Sequence, residues 1–323
     1  MAHGQDGDMP PRPRSASSRS RGADDRGADD RGAGSRTSRT RSRDAAAGLS
    51  DLARAVLEQW RRISAAVDAL PEAGFEQPSV LPGWTVGDLV MHVARSATAV
   101  TEALRPVPSD LAGAEPGPGA GGRPISAVDY LTGTGARAEE IAATTRALSE
   151  TARMASDPSA WLAAEVAAAR AGLDVLTSQG GSGVGSAVVG SGVGDPQVAT
   201  PGGPMVMTEF LRTRAVEAVV HGLDLGVEPS RPALRVAVRL FAELFAVRVP
   251  GHAVELRVPP FAAVQIVEGP RHTRGTPPNV VETGGVPFVL LCAGRLTWND
   301  AVADGRVSAS GERADLRPWL PLL

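Results

Sequence analysis

The residues with the most chemical potential are His92, Glu217 and His221. Glu217 and His221 stand four apart, and in a helix that spacing projects both side chains from one face, one turn apart. A carboxylate and an imidazole so placed can grip one divalent ion, with a third ligand supplied by another helix. His92 fits as that donor, because it falls on the core-facing side of an amphipathic segment. Three protein ligands leave a coordination position for water or substrate, the pattern of catalytic rather than structural zinc. Two plainer readings stand beside this one. Glu-x-x-x-His on a helix also serves as an exposed side-chain pair, and a lone core histidine also serves packing. Spacing leaves all of them open.

Arg214 lies three before Glu217, and Asp224 three after His221, so both flank the candidate ligands. Arg214 either neutralises a substrate carboxylate or pairs with an acid on the next helix. Asp224 either orients a ligand by accepting a hydrogen bond or is merely a helix-end residue. Arg295 and Arg306, much later in the chain, are candidates for holding an anionic substrate at a domain interface. His252 and His272 sit in Pro/Gly-flanked turns and read as surface residues, and His3 belongs to the N-terminal tail. Cys292, the single cysteine, lies in the apolar run Phe288–Ala293 and reads as a buried, inert thiol, which excludes an internal disulfide.

Composition narrows the chemistry further. All 33 basic residues are Arg, so Schiff-base chemistry and a P-loop lysine are excluded. A net charge of −3 gives no reason to expect a nucleic-acid partner. No stretch approaches the ~20 apolar residues that span a bilayer, and the N-terminus lacks a signal-peptide core, so a cytoplasmic protein without membrane insertion is expected.

Several elements must position the three ligands. Residues 1–44, with the repeat RGADD at 21–25 and 26–30, carry almost no large apolar side chains and are expected to be a disordered tail. Leu49, Leu52, Val56, Trp60, Ile63, Val67 and Leu70 then recur at helical spacing up to Pro71. After the turn Leu81–Trp84, Thr85 and Asp88 form a capping signal for a second helix running to about Leu104, with His92 on its inner side. Further helices are predicted near 126–151, 158–177, 205–223 and from Ser230 to Val247, with 178–203 a flexible Gly/Ser-rich loop. Beyond Pro250 the period shifts towards strands at 253–258, 261–268, 279–282 and 306–310, with a helix over 286–303 and a short one at the end. Helices first and a small α+β unit afterwards predict two domains meeting near 230–250, bounded here as 45–230 and 231–323.

The motif Leu81-Pro82-Gly83-Trp84-Thr85-Val86-Gly87-Asp88-Leu89-Val90-Met91-His92 resembles the N-terminal signature of the mycothiol-dependent maleylpyruvate isomerase family, a branch of the DinB-like four-helix metalloproteins. The segment from Arg214 to Leu225 resembles that family's second signature. The resemblance spans about 46–227 and implies that His92, Glu217 and His221 are the metal ligands. A C-terminal sterol-carrier-like domain is similarly suggested by Thr273–Thr283, Gly294–Trp298 and Asp304–Gly311, with Gly284-Gly285 and Cys292-Ala293 departing from the expected pattern. The implied fold is a DinB-like bundle followed by a sterol-carrier-like mixed α/β domain. The implied cofactors are a divalent metal, Zn²⁺ first, and mycothiol as cosubstrate. The implied activity is isomerisation of, or thiol transfer to, a small electrophile, with Arg214 and Arg295 as candidate catalytic groups. A non-catalytic carrier holding an apolar ligand in the C-terminal domain is the alternative. The strand residues Val254, Leu256, Val258, Val264 and Ile266 suit either a cavity lining or an ordinary packed sheet.

Overall fold

The computed structural model describes residues 33–105, 123–133, 157–178, 195–270 and 278–323, plus isolated positions between 139 and 147, with side chains from Gly48 onward. One compact unit, Arg41–Leu323, contains both the helices and the sheet.

Helix α1 (Ala33–Asp68) buries Leu49, Val56, Trp60, Ile63 and Val67, the stripe its three-to-four spacing predicts. Its start differs from expectation, since the helix begins at Ala33, inside the segment read as tail. Once a helix is nucleated, each added residue gains a hydrogen bond at little extra ordering cost, so a polar extension can persist. Helix α2 (Val86–Ala103) opens on the predicted capping box. Asp88 N–H donates to Thr85 Oγ1 at 3.1 Å, and Thr85 N–H donates to Asp88 Oδ2 at 3.0 Å. Helix α3 (Ala127–Thr132) has the same box from Ser126 and Asp129 and stops at Gly133. Most of the rest of the helix expected to 151 lies outside the described residues. Helix α4 (Pro158–Ser178) packs along α2, and Thr98 Oγ1 donates to Glu165 Oε2 at 2.8 Å between them.

The Gly/Ser-rich stretch also departs from its reading as a loop. Although much of it lies outside the described residues, its end forms β1 (Gln197–Thr200), paired antiparallel with β2 (Gly203–Val206). Val198 and Met205 bury themselves from this ribbon. Helices α5 (Met207–Asp224) and α6 (Arg231–Arg248) follow. Ser230 caps α6 by accepting from Ala233 N–H at 3.3 Å, and its own N–H donates to Gln59 Oε1 of α1 at 2.7 Å. Helix α6 touches α3 and α5 of the bundle and β4 of the sheet, so it joins the two halves.

The sheet has the order β4 (Ala262–Ile266), β3 (Val254–Val258), β5 (Val280–Thr283), β6 (Val307–Ser310). Only the central β3–β5 pair is parallel. Val254, Leu256 and Val258 alternate inward from β3. Phe245, Leu256, Val281, Phe288 and Trp298 line a small apolar cavity of about 10 Å³ between the sheet and its helices. The helix expected over 286–303 is two helices, α7 (Gly285–Cys292) and α8 (Trp298–Ala303). Gly294, at φ +69°, turns the chain out of α7, and Thr297 accepts from Asp300 N–H to start α8. Among the described residues no helix is long and apolar enough to cross a membrane.

Candidate active site

Helices α2 and α5 bring the three sequence-predicted ligands together. The His92 and His221 rings meet edge to face, with centroids 4.8 Å apart and planes at 88°. The Trp84 ring, from the turn that precedes the α2 cap, also meets His92 edge to face, with centroids 5.5 Å apart. Burial first, and then the His221 ring, hold the His92 imidazole down at about 3, against the pull of Glu217, so the ring is neutral near physiological pH.

Glu217 is gripped from both helices. Ser96, one turn after His92, donates its hydroxyl to Oε2 at 2.7 Å, and Arg214 Nη1 lies 2.8 Å from the same oxygen. Burial pushes the carboxyl upward, but Arg214, His92, Ser96 and His221 outweigh it and hold the group at about 2. Arg214 is itself buried, at 4% exposure, and lies over the Phe210 ring at 4.9 Å while Nη2 reaches the Tyr130 hydroxyl of α3 at 3.5 Å. The guanidinium is thus spent on a protein carboxylate and two aromatic residues.

His221 Nδ1 lies 3.0 Å from Asp224 Oδ2, which places the opposite ring nitrogen, Nε2, on the side away from that carboxylate. Asp224 in turn takes two contacts from Arg295, Nε to Oδ1 at 2.9 Å and Nη2 to Oδ2 at 3.1 Å. Burial raises the Asp224 carboxyl, but the bonds from His221 and Arg295 bring it below its ordinary value. Arg306 is elsewhere and pairs with Asp304 at 3.2 Å, both half-exposed. His252 is exposed and faces Gln265, Cys292 is buried with its thiol pushed well up by burial, and His272 lies outside the described residues.

As the atoms stand, no group of three or more His, Cys, Asp or Glu side chains among the described residues is disposed to hold a metal ion. Glu217 presents its Oε2 to Arg214 and Ser96. Sequence reasoning missed Ser96, Trp84 and Tyr130 as members of the site. Only Ser96 carried a local signal, four residues after His92 on the same face.

The profile described as "Mycothiol maleylpyruvate isomerase N-terminal domain" matches residues 56–226, more than half of the chain. The chain belongs to this family. A second profile, "Bacterial SCP ortholog", matches residues 230–322, so the family bundle is followed by a sterol-carrier-like domain. Among solved structures the chain is similar to the mycothiol-dependent maleylpyruvate isomerase, at 18% identity and TM-score 0.48, covering 84% of this chain and 94% of that one. A histidine-to-alanine mutant of that isomerase is similar at 20% identity, with the same TM-score and coverage. No curated protein matches.

Proposed function

We propose that this chain is a metal-dependent enzyme that delivers a low-molecular-weight thiol, mycothiol, to a small electrophilic substrate, for isomerisation or thiol transfer. The observation that carries the reading is the convergence of two imidazoles and an ionised carboxylate, drawn from two helices, in one largely buried place. The thiol is inferred from the family alone.

The donor chemistry fits a divalent ion. His92 is neutral and Glu217 ionised near physiological pH, the protonation states that ligation requires. Two nitrogens and an oxygen suit Zn²⁺ first among several ions and leave a position open. When bound, such an ion favours the thiolate of an incoming thiol or lowers the pKa of a bound water. The protein's own groups prepare that place. Arg214 and Ser96 keep Glu217 charged and fix one of its oxygens. Trp84 covers the edge of His92, and Asp224 holds His221. Arg214 and Arg295 thereby contribute through Glu217 and Asp224 rather than by touching substrate. The apolar ligand is not part of this reading, which rests on the bundle site alone.

The test is metal analysis of the purified protein, followed by turnover of an electrophile panel with mycothiol. About one equivalent of divalent metal per chain, with mycothiol-dependent turnover lost in His92→Ala, is the expected result. Protein without metal, and without affinity for added Zn²⁺, overturns the proposal.

A further inference from the structure

We infer that Arg295 is a positioning residue, which reaches from the C-terminal domain through Asp224 to fix the tautomer and orientation of the His221 imidazole. The inference rests on the proposed function only for its consequence at the metal; the relay itself stands on geometry.

Two helix ends face each other across this contact, and both are closed in the same way. At the end of α5, Val227 N–H donates to Gly222 O at 2.8 Å and Gly226 N–H to Leu223 O at 3.0 Å, with Gly226 at φ +73°. At the end of α7, Arg295 N–H donates to Leu290 O at 2.8 Å and Gly294 N–H to Leu291 O at 3.2 Å, with Gly294 at φ +69°. Both are Schellman caps, which hold the backbone on each side of the helix end. Asp224 is therefore set on the last turn of one capped helix, and Arg295 is the residue that completes the cap of the other.

The side chains continue that rigidity. Arg295 presents Nε and Nη2 in parallel to the two oxygens of Asp224, and ties Nη1 to Ala293 O at 2.8 Å. A fork so anchored resists rotation. The Asp224 side chain is 2% exposed, so no bulk water competes for its oxygens. Oδ2, with Arg295 on one side, has His221 Nδ1 on the other at 3.0 Å. An ionised carboxylate only accepts hydrogen bonds, so the Nδ1 proton sits on the histidine, and in the neutral ring the lone pair is then on Nε2. That is the tautomer a ligating or basic Nε2 needs. Arg295 lies 71 residues from Asp224 in the chain, so the second domain must dock before His221 is fixed.

The test uses the full-length, chelator-treated protein, uniformly labelled with ¹⁵N, and reads the His221 ring nitrogens by long-range proton–nitrogen correlation. The wild type should show a protonated Nδ1 and an unprotonated Nε2. Asp224→Ala and Arg295→Ala should populate the other tautomer visibly, and Arg295→Lys should restore part of the wild-type pattern. Arg306→Ala, in the same domain but with its described ion pair to Asp304, should leave the ring signals in place. Zn²⁺ affinity should fall about 10–100-fold in Asp224→Ala and Arg295→Ala. A wild-type His221 protonated at Nε2, or a tautomer unchanged in both alanine variants, overturns the relay. If the wild type binds no metal, the proposed function fails while the tautomer readout still decides the relay.

Discussion

The bundle and the C-terminal domain bury polar groups for different ends. In the bundle His92, Ser96, Thr213 and Arg214 are all nearly inaccessible and cluster where α2 meets α5. Ser96 and Arg214 bond from side chain to side chain, through Glu217 and Tyr130, while Thr213 accepts from Arg214 Nε and donates to Phe210 O. Among the described residues of the C-terminal domain the buried polar side chains are Asn279 and Thr283, and each serves backbone. Asn279 donates to Ala253 O at 2.9 Å and accepts from Arg313 N–H, while Thr283 donates to Arg306 O. Side-chain networks in a low-dielectric interior are costly when incomplete, whereas side chains that satisfy backbone stabilise the fold directly. The contrast assigns chemistry to the bundle and scaffolding to the sheet, with Arg295 as the one described side chain that carries the scaffold's influence to the site.

The sharpest way to break that contrast is to remove Glu217. Glu217→Ala leaves the Arg214 guanidinium buried without its carboxylate, a change that costs about 3–5 kcal/mol in comparable buried pairs. Urea unfolding of the metal-free protein should show that loss, and metal analysis should show an empty site. Glu217→Gln keeps an acceptor for Ser96 and should lose less. Equal stabilities for Ala and wild type would mean the bundle tolerates an orphaned charge, and the contrast would fail. In the sheet domain, Leu256→Ala should cost about 2–5 kcal/mol by opening a cavity, yet leave metal content and thiol-dependent turnover unchanged at temperatures where the protein is folded. A shift in metal affinity in that variant would make the sheet core part of the site.

How much of this was legible in the sequence depends on how far each signal reaches. The α1 stripe and the Thr85–Asp88 cap are local, and both appear as read. The β1–β2 ribbon was hidden because four-residue strands, each with one buried side chain, leave no alternation to detect in a Gly/Ser-rich stretch. Gly294 announced the break between α7 and α8, but the apolar periodicity of 286–303 ran through it. From the sequence Arg214 is expected to hold a substrate carboxylate or an acid on the next helix, and it pairs instead with Glu217 one turn along its own helix, the i,i+3 contact that helical geometry favours. The partner of Arg295 is set only by docking of the second domain, which no spacing records.

The cap of α2 allows a smaller intervention. Thr85→Ala removes the acceptor for Asp88 N–H at the start of the helix that carries His92, and such losses cost about 1 kcal/mol. If the bundle's site depends on side-chain networks rather than on helix ends, metal affinity should hardly move. A large loss of affinity alongside that small loss of stability would show that the cap also sets the height of His92.

The smallest effect separates His92 from its neighbours by pH. Its folded pKa, about 3, lies below the unfolded value of 6.5. A depressed pKa contributes stability that is complete above 6.5 and is lost as pH falls through the window towards 3. Glu217, depressed from 4.5 to about 2, contributes nothing to the slope above 4.5. Between 6.5 and 4.5, therefore, the unfolded chain takes up the proton that buried His92 refuses. Moving chelator-treated protein from pH 7.5 to 6.0 should cost somewhat under about 1 kcal/mol from this group. His92→Gln should remove that part of the slope, and urea titrations of both proteins across the window measure the difference. Parallel slopes would mean that His92 takes a proton as readily in the fold as outside it, and the bundle would then lack the neutral imidazole its chemistry needs.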